Sequence, residues 1–178
     1  LDPDERVLPA PAPRDRAAVF ISHAHADHCH PSALSLHARG LTDLFTGDDV
    51  ESGGIALSPG ERLEAGELTV EAYGSTDQGV SFLARSGGLN FFHAGDFNLW
   101  HWREESTPKE IRAAEAAFFR VLGTLPRGID VAFFPVDSRM GSGHAEGAFR
   151  FAEAIRPRLL IPMHFWKDAD SARAFAAS

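Results

Sequence analysis

Between positions 23 and 28 the chain reads His-Ala-His-Ala-Asp-His, which puts four metal-binding side chains into six positions. Of the nine histidines in the chain, five (His23, His25, His28, His30 and His37) crowd this region. The preceding run, 17–22, is β-branched and aromatic, so the cluster stands where a strand ends. In an extended segment residues two apart face the same way, and His23 and His25 can therefore grip one ion with their imidazoles. A turn beginning at Ala26 would send Asp27 and His28 toward a second ion. The small alanines between them permit a close backbone approach. The competing reading is a surface histidine cluster with no function, and the arrival of a carboxylate together with imidazoles at a strand end argues against it.

The elements that must position this cluster follow from pattern. Residues 31–39 read as a short helix that Gly40 stops, so the histidines lie on a strand-to-helix loop. Residues 41–46 and 55–57 read as strands, with Gly53-Gly54 as a turn between them. Leu68, Val70 and Ala72 alternate with polar neighbours, and 80–85 pairs with 89–94 across Ser86-Gly87-Gly88, which makes the middle of the chain a β meander. At Thr107-Pro108-Lys109-Glu110 an N-cap, a proline at the first helical position and a capping-box glutamate fall in register. The helix they open carries Ile111, Ala114, Phe118, Val121 and Leu122 at helical spacing and ends by Gly123 and Pro126. A buried strand at 130–136, a helix at 144–156 halted by Pro157, a last strand at 159–163 ending at His164, and a terminal helix at 171–177 complete the reading. The proline-bearing, charged segment 1–16 reads as an extended lead-in. The length and a 44% hydrophobic share suit one domain over residues 1–178.

The segment 23–28 matches the His-x-His-x-Asp-His signature of the metallo-β-lactamase superfamily at every defined position, and the chain resembles that family. Phe91-Phe92-His93-Ala94-Gly95-Asp96 is similar to the family strand ending in Gly-Asp, and Leu160-Ile161-Pro162-Met163-His164 to its final strand. The resemblance implies an α/β (α+β) fold, a four-layered αββα sandwich. It also implies one or two divalent metal ions, with zinc expected and iron or manganese as alternatives, held by His23, His25, Asp27, His28, Asp96 and His164. In that picture Asp96 bridges the ions. A bridging carboxylate helps hold two cations about 3.5–4 Å apart, and a water they share loses a proton near neutral pH. On the residues alone, Asp96 also reads as a helix cap or turn residue and His164 as a hydrogen-bonded core histidine.

Two departures matter. Gly74-Ser75-Thr76-Asp77-Gln78-Gly79 is similar to the family segment Gly-His-Thr-Pro-Gly, but Ser75 stands where an imidazole is expected, and a neutral hydroxyl is a poor zinc ligand. The expectation is one firmly held metal and a second that is weak or recruited with substrate. His93, His101 and Asp77 are candidates to fill the gap, and Asp27, His93 and His101 are the candidate catalytic residues. The chain also opens on Leu1-Asp2-Pro3, which resembles a later strand end, so the usual N-terminal hairpin is expected to be missing and the chain to be a fragment or trimmed product. Arg139 in Asp137-Ser138-Arg139 is read as a plain surface ion pair in preference to a clamp on an anion. His144 is read as an exposed helix-start histidine, Trp100, Trp102 and Trp166 as core filling in preference to a pocket wall, and Cys29 as a packed or idle thiol.

The formal charge of −8 disfavours a nucleic-acid surface, which needs clustered Lys and Arg. No stretch reaches the roughly 18 apolar residues of a membrane helix. The acidic start lacks the chemistry of a secretory leader. With Cys29 as the one cysteine, a reducing, cytoplasmic setting is expected. The favoured function is hydrolysis by metal-bound hydroxide of an ester, amide or phosphodiester bond in a small soluble substrate. The alternatives are a mononuclear iron oxygenase of the same fold and a non-catalytic metal-binding module.

Overall fold

The computed structural model describes residues 17–178, so the expected lead-in over 1–16 and the missing hairpin lie outside the described residues. The chain forms β1 (Ala18–Ile21), α1 (Pro31–Ala38), β2 (Asp43–Gly47), β3 (Ile55–Leu57), β4 (Arg62–Ala65), β5 (Leu68–Tyr73), β6 (Ser81–Ser86) and β7 (Leu89–His93). There follow α2 (Pro108–Leu122), β8 (Val131–Pro135), a 3-10 segment (Ser138–Gly143), α3 (Glu146–Ile155), β9 (Leu159–Met163) and α4 (Ala169–Ala176). β1, β2 and β3 make a parallel three-stranded sheet. The second sheet runs β4 to β9 in chain order, antiparallel as far as β7, with β8 and β9 parallel to it.

Side-chain alternation along the strands builds three apolar layers between four structural ones. Ile21 and Leu44 face α1, where they pack with Ala33 and Leu34. Phe20 and Phe45 face the other way, into the inter-sheet core with Val70, Ala72 and Phe82. Phe20 touches both sheets, its ring centroid lying 5.3 Å from Phe45 and 5.4 Å from Phe82. On the far side of the second sheet, Phe92, Phe134 and Ala132 meet Phe118 of α2 and Phe151 of α3. The order is helix, sheet, sheet, helices, the αββα sandwich.

The helices begin where local chemistry starts them. In α2 the Thr107 hydroxyl accepts from Glu110 N–H at 3.3 Å while the Glu110 carboxylate accepts from Thr107 N–H at 2.7 Å, and Pro108 occupies the first turn. In α1 the cap is His30, whose Nδ1 accepts from Ser32 N–H at 3.2 Å. α3 starts at Glu146, two residues later than its sequence pattern suggests, because the 3-10 segment takes up the glycine-rich approach.

Candidate metal centre

Strand β1 of the first sheet and the mutually parallel strands β7, β8 and β9 of the second release their chains at one edge of the sandwich. Ser22 and His23 follow β1, Asp96 follows β7, Asp137 follows β8 and His164 follows β9. Crevices beyond the carboxyl ends of parallel strands are where α/β folds assemble sites, because loops from neighbouring strands meet there.

Three imidazoles converge on one carboxylate. His28 Nε2 lies 3.1 Å and His164 Nε2 3.4 Å from Asp96 Oδ1, and His23 Nε2 lies 3.4 Å from Oδ2. Asp96 is 5% exposed, and its Oδ1 has no hydrogen-bond partner among the described residues. A buried carboxylate oxygen that faces imidazole nitrogens without a well-formed hydrogen bond is costly unless a positive charge, an imidazolium or a metal ion, satisfies it. Two sets of donor atoms lie close enough to surround an ion: His23, His28 and Asp96, and Asp27, His28 and His164. Imidazole and carboxylate donors suit zinc, iron and manganese. These residues fit a metal.

The electrostatics agree. Burial would raise the Asp96 pKa, but His28, His164 and His23 outweigh it and hold the carboxyl below its ordinary value. Burial would lower His28, but the contacts with Asp96 and the charge of Asp27 raise it overall. His23 is lowered by burial and by the neighbouring His28.

The ring orientations are set from behind. The buried Ser22 hydroxyl lies 2.9 Å from His23 Nδ1 and 3.3 Å from His28 Nδ1, which leaves both Nε2 atoms toward Asp96. Asp137, 1% exposed, lies 3.0 Å from His164 Nδ1 through Oδ2 and does the same for that ring. Burial would raise Asp137, yet His164 and Arg139 hold its carboxyl well below the usual carboxylate range. Ser22 itself is clamped by close backbone. A Cβ at Gly79, where φ is +67°, would stand 2.1 Å from Ser22 O and 2.5 Å from His23 Cβ, and one at Gly95 would stand 2.8 Å from Ser22 Cβ. Only glycine fits at either point. His164 and Trp166 adopt φ of 61° and 50°, left-handed conformations that cost a non-glycine residue roughly 1–3 kcal/mol each.

A cleft of about 450 Å³ opens on the cluster, lined by Asp27, His28, His93, Met163, His164, Phe165 and Trp166. Trp166 is 54% exposed and Trp102 40% exposed, so the core-filling expectation for them is corrected: Trp166 is cleft wall. Trp100 donates from Nε1 to Asp96 O at 2.7 Å and sets its ring edge-on to His164.

The remaining candidates are distributed unevenly. His25 is exposed, with Nδ1 3.1 Å from His23 Nε2, beside the cluster but outside both donor sets. His93 lines the cleft, accepts from Gly95 N–H at 3.1 Å, and is pushed down to about 4 by burial, so it faces the site as a neutral ring. His101 is carried elsewhere: it is buried against Gly143 and lies 3.4 Å from Glu146, away from the converging imidazoles. No hydrogen bond or ion pair joins Ser75 or Asp77 to the cluster among the described residues, and Asp77 N–H instead donates to the Ser75 hydroxyl at 3.3 Å. His144 is partly exposed, and its Nδ1 lies 3.1 Å from Gly141 O. Cys29 is free and partly packed beside α1. Sequence reasoning missed Ser22 and Gly79. It had noticed Asp137 only as a neighbour of Arg139.

A family model described as the beta-lactamase superfamily domain matches residues 2–165. A protein of Opitutus terrae named UPF0173 metal-dependent hydrolase is 31% identical, over 92% of this chain and 72% of its own. One of Thermoplasma acidophilum with the same family name is 25% identical, over 83% of this chain but only 64% of its own length. The crystal structure of the metallo-beta-lactamase fold protein YhfI from Bacillus subtilis is similar with a TM-score of 0.56 at 17% identity, covering 89% of this chain and 69% of that one.

Proposed function

Because the chain belongs to the beta-lactamase superfamily, we propose that it is a metal-dependent hydrolase whose ions are held by His23, His25, Asp27, His28, Asp96 and His164. The observation that carries this reading is the convergence of imidazole nitrogens on the buried Asp96 carboxylate, whose Oδ1 makes no well-formed hydrogen bond yet has two imidazole Nε2 atoms within 3.4 Å. A bound divalent ion supplies Lewis-acid polarisation of a scissile oxygen and a water acidic enough to ionise near neutral pH. His28 is common to both ligand groups, and Asp96, with His23, His28 and His164 within 3.4 Å of its carboxylate, anchors them. Ser22 and Asp137 fix the imidazole tautomers, so that each ligating nitrogen presents a lone pair. Asp27, exposed at the cleft, is placed to accept a proton from an entering nucleophile, and His93, neutral at working pH, to hydrogen-bond a substrate oxygen or leaving group. The position of His101 favours a structural role over the catalytic one.

Zinc is the metal proposed, with iron or manganese as the alternatives for the same donor set. With an imidazole lacking at Ser75, one ion is held firmly and the other weakly. The net charge of −8 and the size of the cleft support a small substrate bearing an ester, amide or phosphodiester bond. No helix among the described residues is long and apolar enough to cross a membrane. The lone free Cys29 suits the cytoplasm. A screen of ester, lactone and phosphodiester substrates with the protein as isolated and with Asp96→Asn tests the reading. Turnover by the former and loss of both metal and turnover in the latter is the expected result. Full turnover by metal-free Asp96→Asn would reject it, as would oxygen consumption without hydrolysis.

A further inference from the structure

Arg139 is the cation beside the cleft that metal binding does not explain. Its Nε donates to Asp137 Oδ1 at 2.9 Å and Oδ2 at 3.0 Å, and its Nη2 donates to Oδ2 at 2.5 Å, so the guanidinium is locked in orientation by a carboxylate that is itself buried. Its carbon lies 4.4 Å from the centre of the Trp166 ring, which presses one face of the group. Trp166 walls the metal cleft and also an adjoining apolar hollow over β1 that includes Val19, Ile21 and Ala33. The guanidinium is close enough to the metal-site carboxylates that Asp27 and Asp96 both act on its charge.

A residue whose task ended at neutralising Asp137 would need no open edge, and His164 already gives that carboxylate a partner at 3.0 Å. Yet the Arg139 side chain is 54% exposed, and its Nη1 makes no hydrogen bond among the described residues. Three N–H groups remain, two on Nη1 and one on Nη2, and the parallel pair at the Nη1–Nη2 end is held at a fixed angle. A planar fork of donors matches the paired oxygens of a carboxylate or phosphate, and orienting the group in advance removes most of the ordering cost of that bond. No Lys or Arg is among the residues lining the metal cleft, and Arg139 stands next to it, stacked on the Trp166 ring that forms its wall.

Building on the hydrolase reading, we propose that Arg139, held by Asp137 and Trp166, is a specificity residue that binds an anionic substituent, carboxylate or phosphate, on a substrate whose scissile bond lies at the metal cluster. The apolar hollow beyond Trp166 takes the substrate's hydrocarbon part.

The test is calorimetric titration of the protein as isolated with phenylphosphonate, a non-hydrolysable anion with an apolar ring, and with neutral benzamide. Arg139→Gln is expected to weaken phenylphosphonate by about tenfold or more, the loss of a charge-assisted pair. Arg139→Lys, which keeps the charge beside Asp137 should the glutamine variant fold poorly, is expected to weaken it by about fivefold, because an ammonium cannot make the paired bond. Arg158→Gln removes an equal charge at an exposed pair with Asp130 near the start of β9, and is expected to leave binding within about twofold, screened at that distance. Benzamide should bind more weakly than phenylphosphonate. The proposal is overturned if wild-type protein does not bind the phosphonate, if Arg139→Gln and Arg139→Lys both bind as wild type does, so that the metal alone holds the anion, or if Arg158→Gln weakens it equally. Since the probe is never cleaved, failure of the protein to turn over any ester, lactone, amide or phosphodiester would reject hydrolysis while leaving this result standing.

Discussion

Asp137 lies outside both sets of proposed ligand atoms, yet it aims His164 and steadies Arg139, so its loss should be felt at a distance. Asp137→Asn is expected to lower metal affinity by about 10–100-fold, measured by competition with a chromophoric chelator, because such supporting partners set ring orientation and ligand basicity. Unchanged affinity would mean that His164 is held by packing alone. Gly79→Ala should be more disruptive than an exposed glycine change of the same kind. Its methyl group would collide with Ser22 O and His23 Cβ at a left-handed backbone position, and a destabilisation above about 2 kcal/mol in urea melts is expected, with reduced metal content. The proposed ligands were legible in the sequence because four of them sit within six positions and the other two close recognisable strand-end motifs. Ser22 and Asp137 were not. Their roles depend on which strand ends become neighbours in space, and one serine or aspartate after a strand carries no periodic signal. His101 misled for the converse reason: its closeness in sequence to Asp96 does not survive the turn through Asn98 and Leu99, which takes it to Glu146.

Among the elements, the helices were the most readable. The capping box of α2 satisfies orphan amides by purely local chemistry, and Thr107→Ala is expected to cost about 1 kcal/mol in chemical denaturation, with no effect on metal content. The strand at Arg62–Ala65 escaped notice because it is only four residues long, half of them charged, and lies on the edge of its sheet, where only pairing with β5 defines it. The division of the nine strands among the described residues between two sheets was likewise invisible to alternation, which reports that a face is buried but not against what. β5 offers a test of its own environment. Tyr73, the chain's only tyrosine, donates to Glu71 at 2.6 Å, and burial together with that carboxylate pushes its phenol up to about 12. Phenolate absorbance should therefore rise near pH 12 in the folded protein. The unfolded chain releases this proton near 10, so the group's contribution to stability is complete below pH 10 and is lost as pH climbs from 10 toward 12. A folded-state titration centred at 10 would show the Tyr73 environment to be wrong.

For the whole molecule, a metal bound at the proposed site would be a staple as well as a reagent. Its proposed ligands come from loops after β1, β7 and β9, which belong to different sheets, so ions binding only the folded state should tie the two halves of the sandwich together. At 100 times the dissociation constant such binding adds about 2.7 kcal/mol, which for a domain of this size corresponds to a melting temperature roughly 5–10 °C higher. Exhaustive chelation should lower the melting temperature by that amount, and readdition of zinc should restore it. Indifference to chelation would argue that the cluster is preformed and empty in solution.

The most direct measurement is anomalous X-ray scattering from crystals of metal-saturated protein, recorded on either side of the absorption edge of the bound element. The account predicts a peak in contact with Asp96 and with at least two of His23, His28 and His164, with any second, weaker peak among Asp27, His28 and His164. A strong peak bound elsewhere, or none at this cluster in saturated crystals, would contradict it.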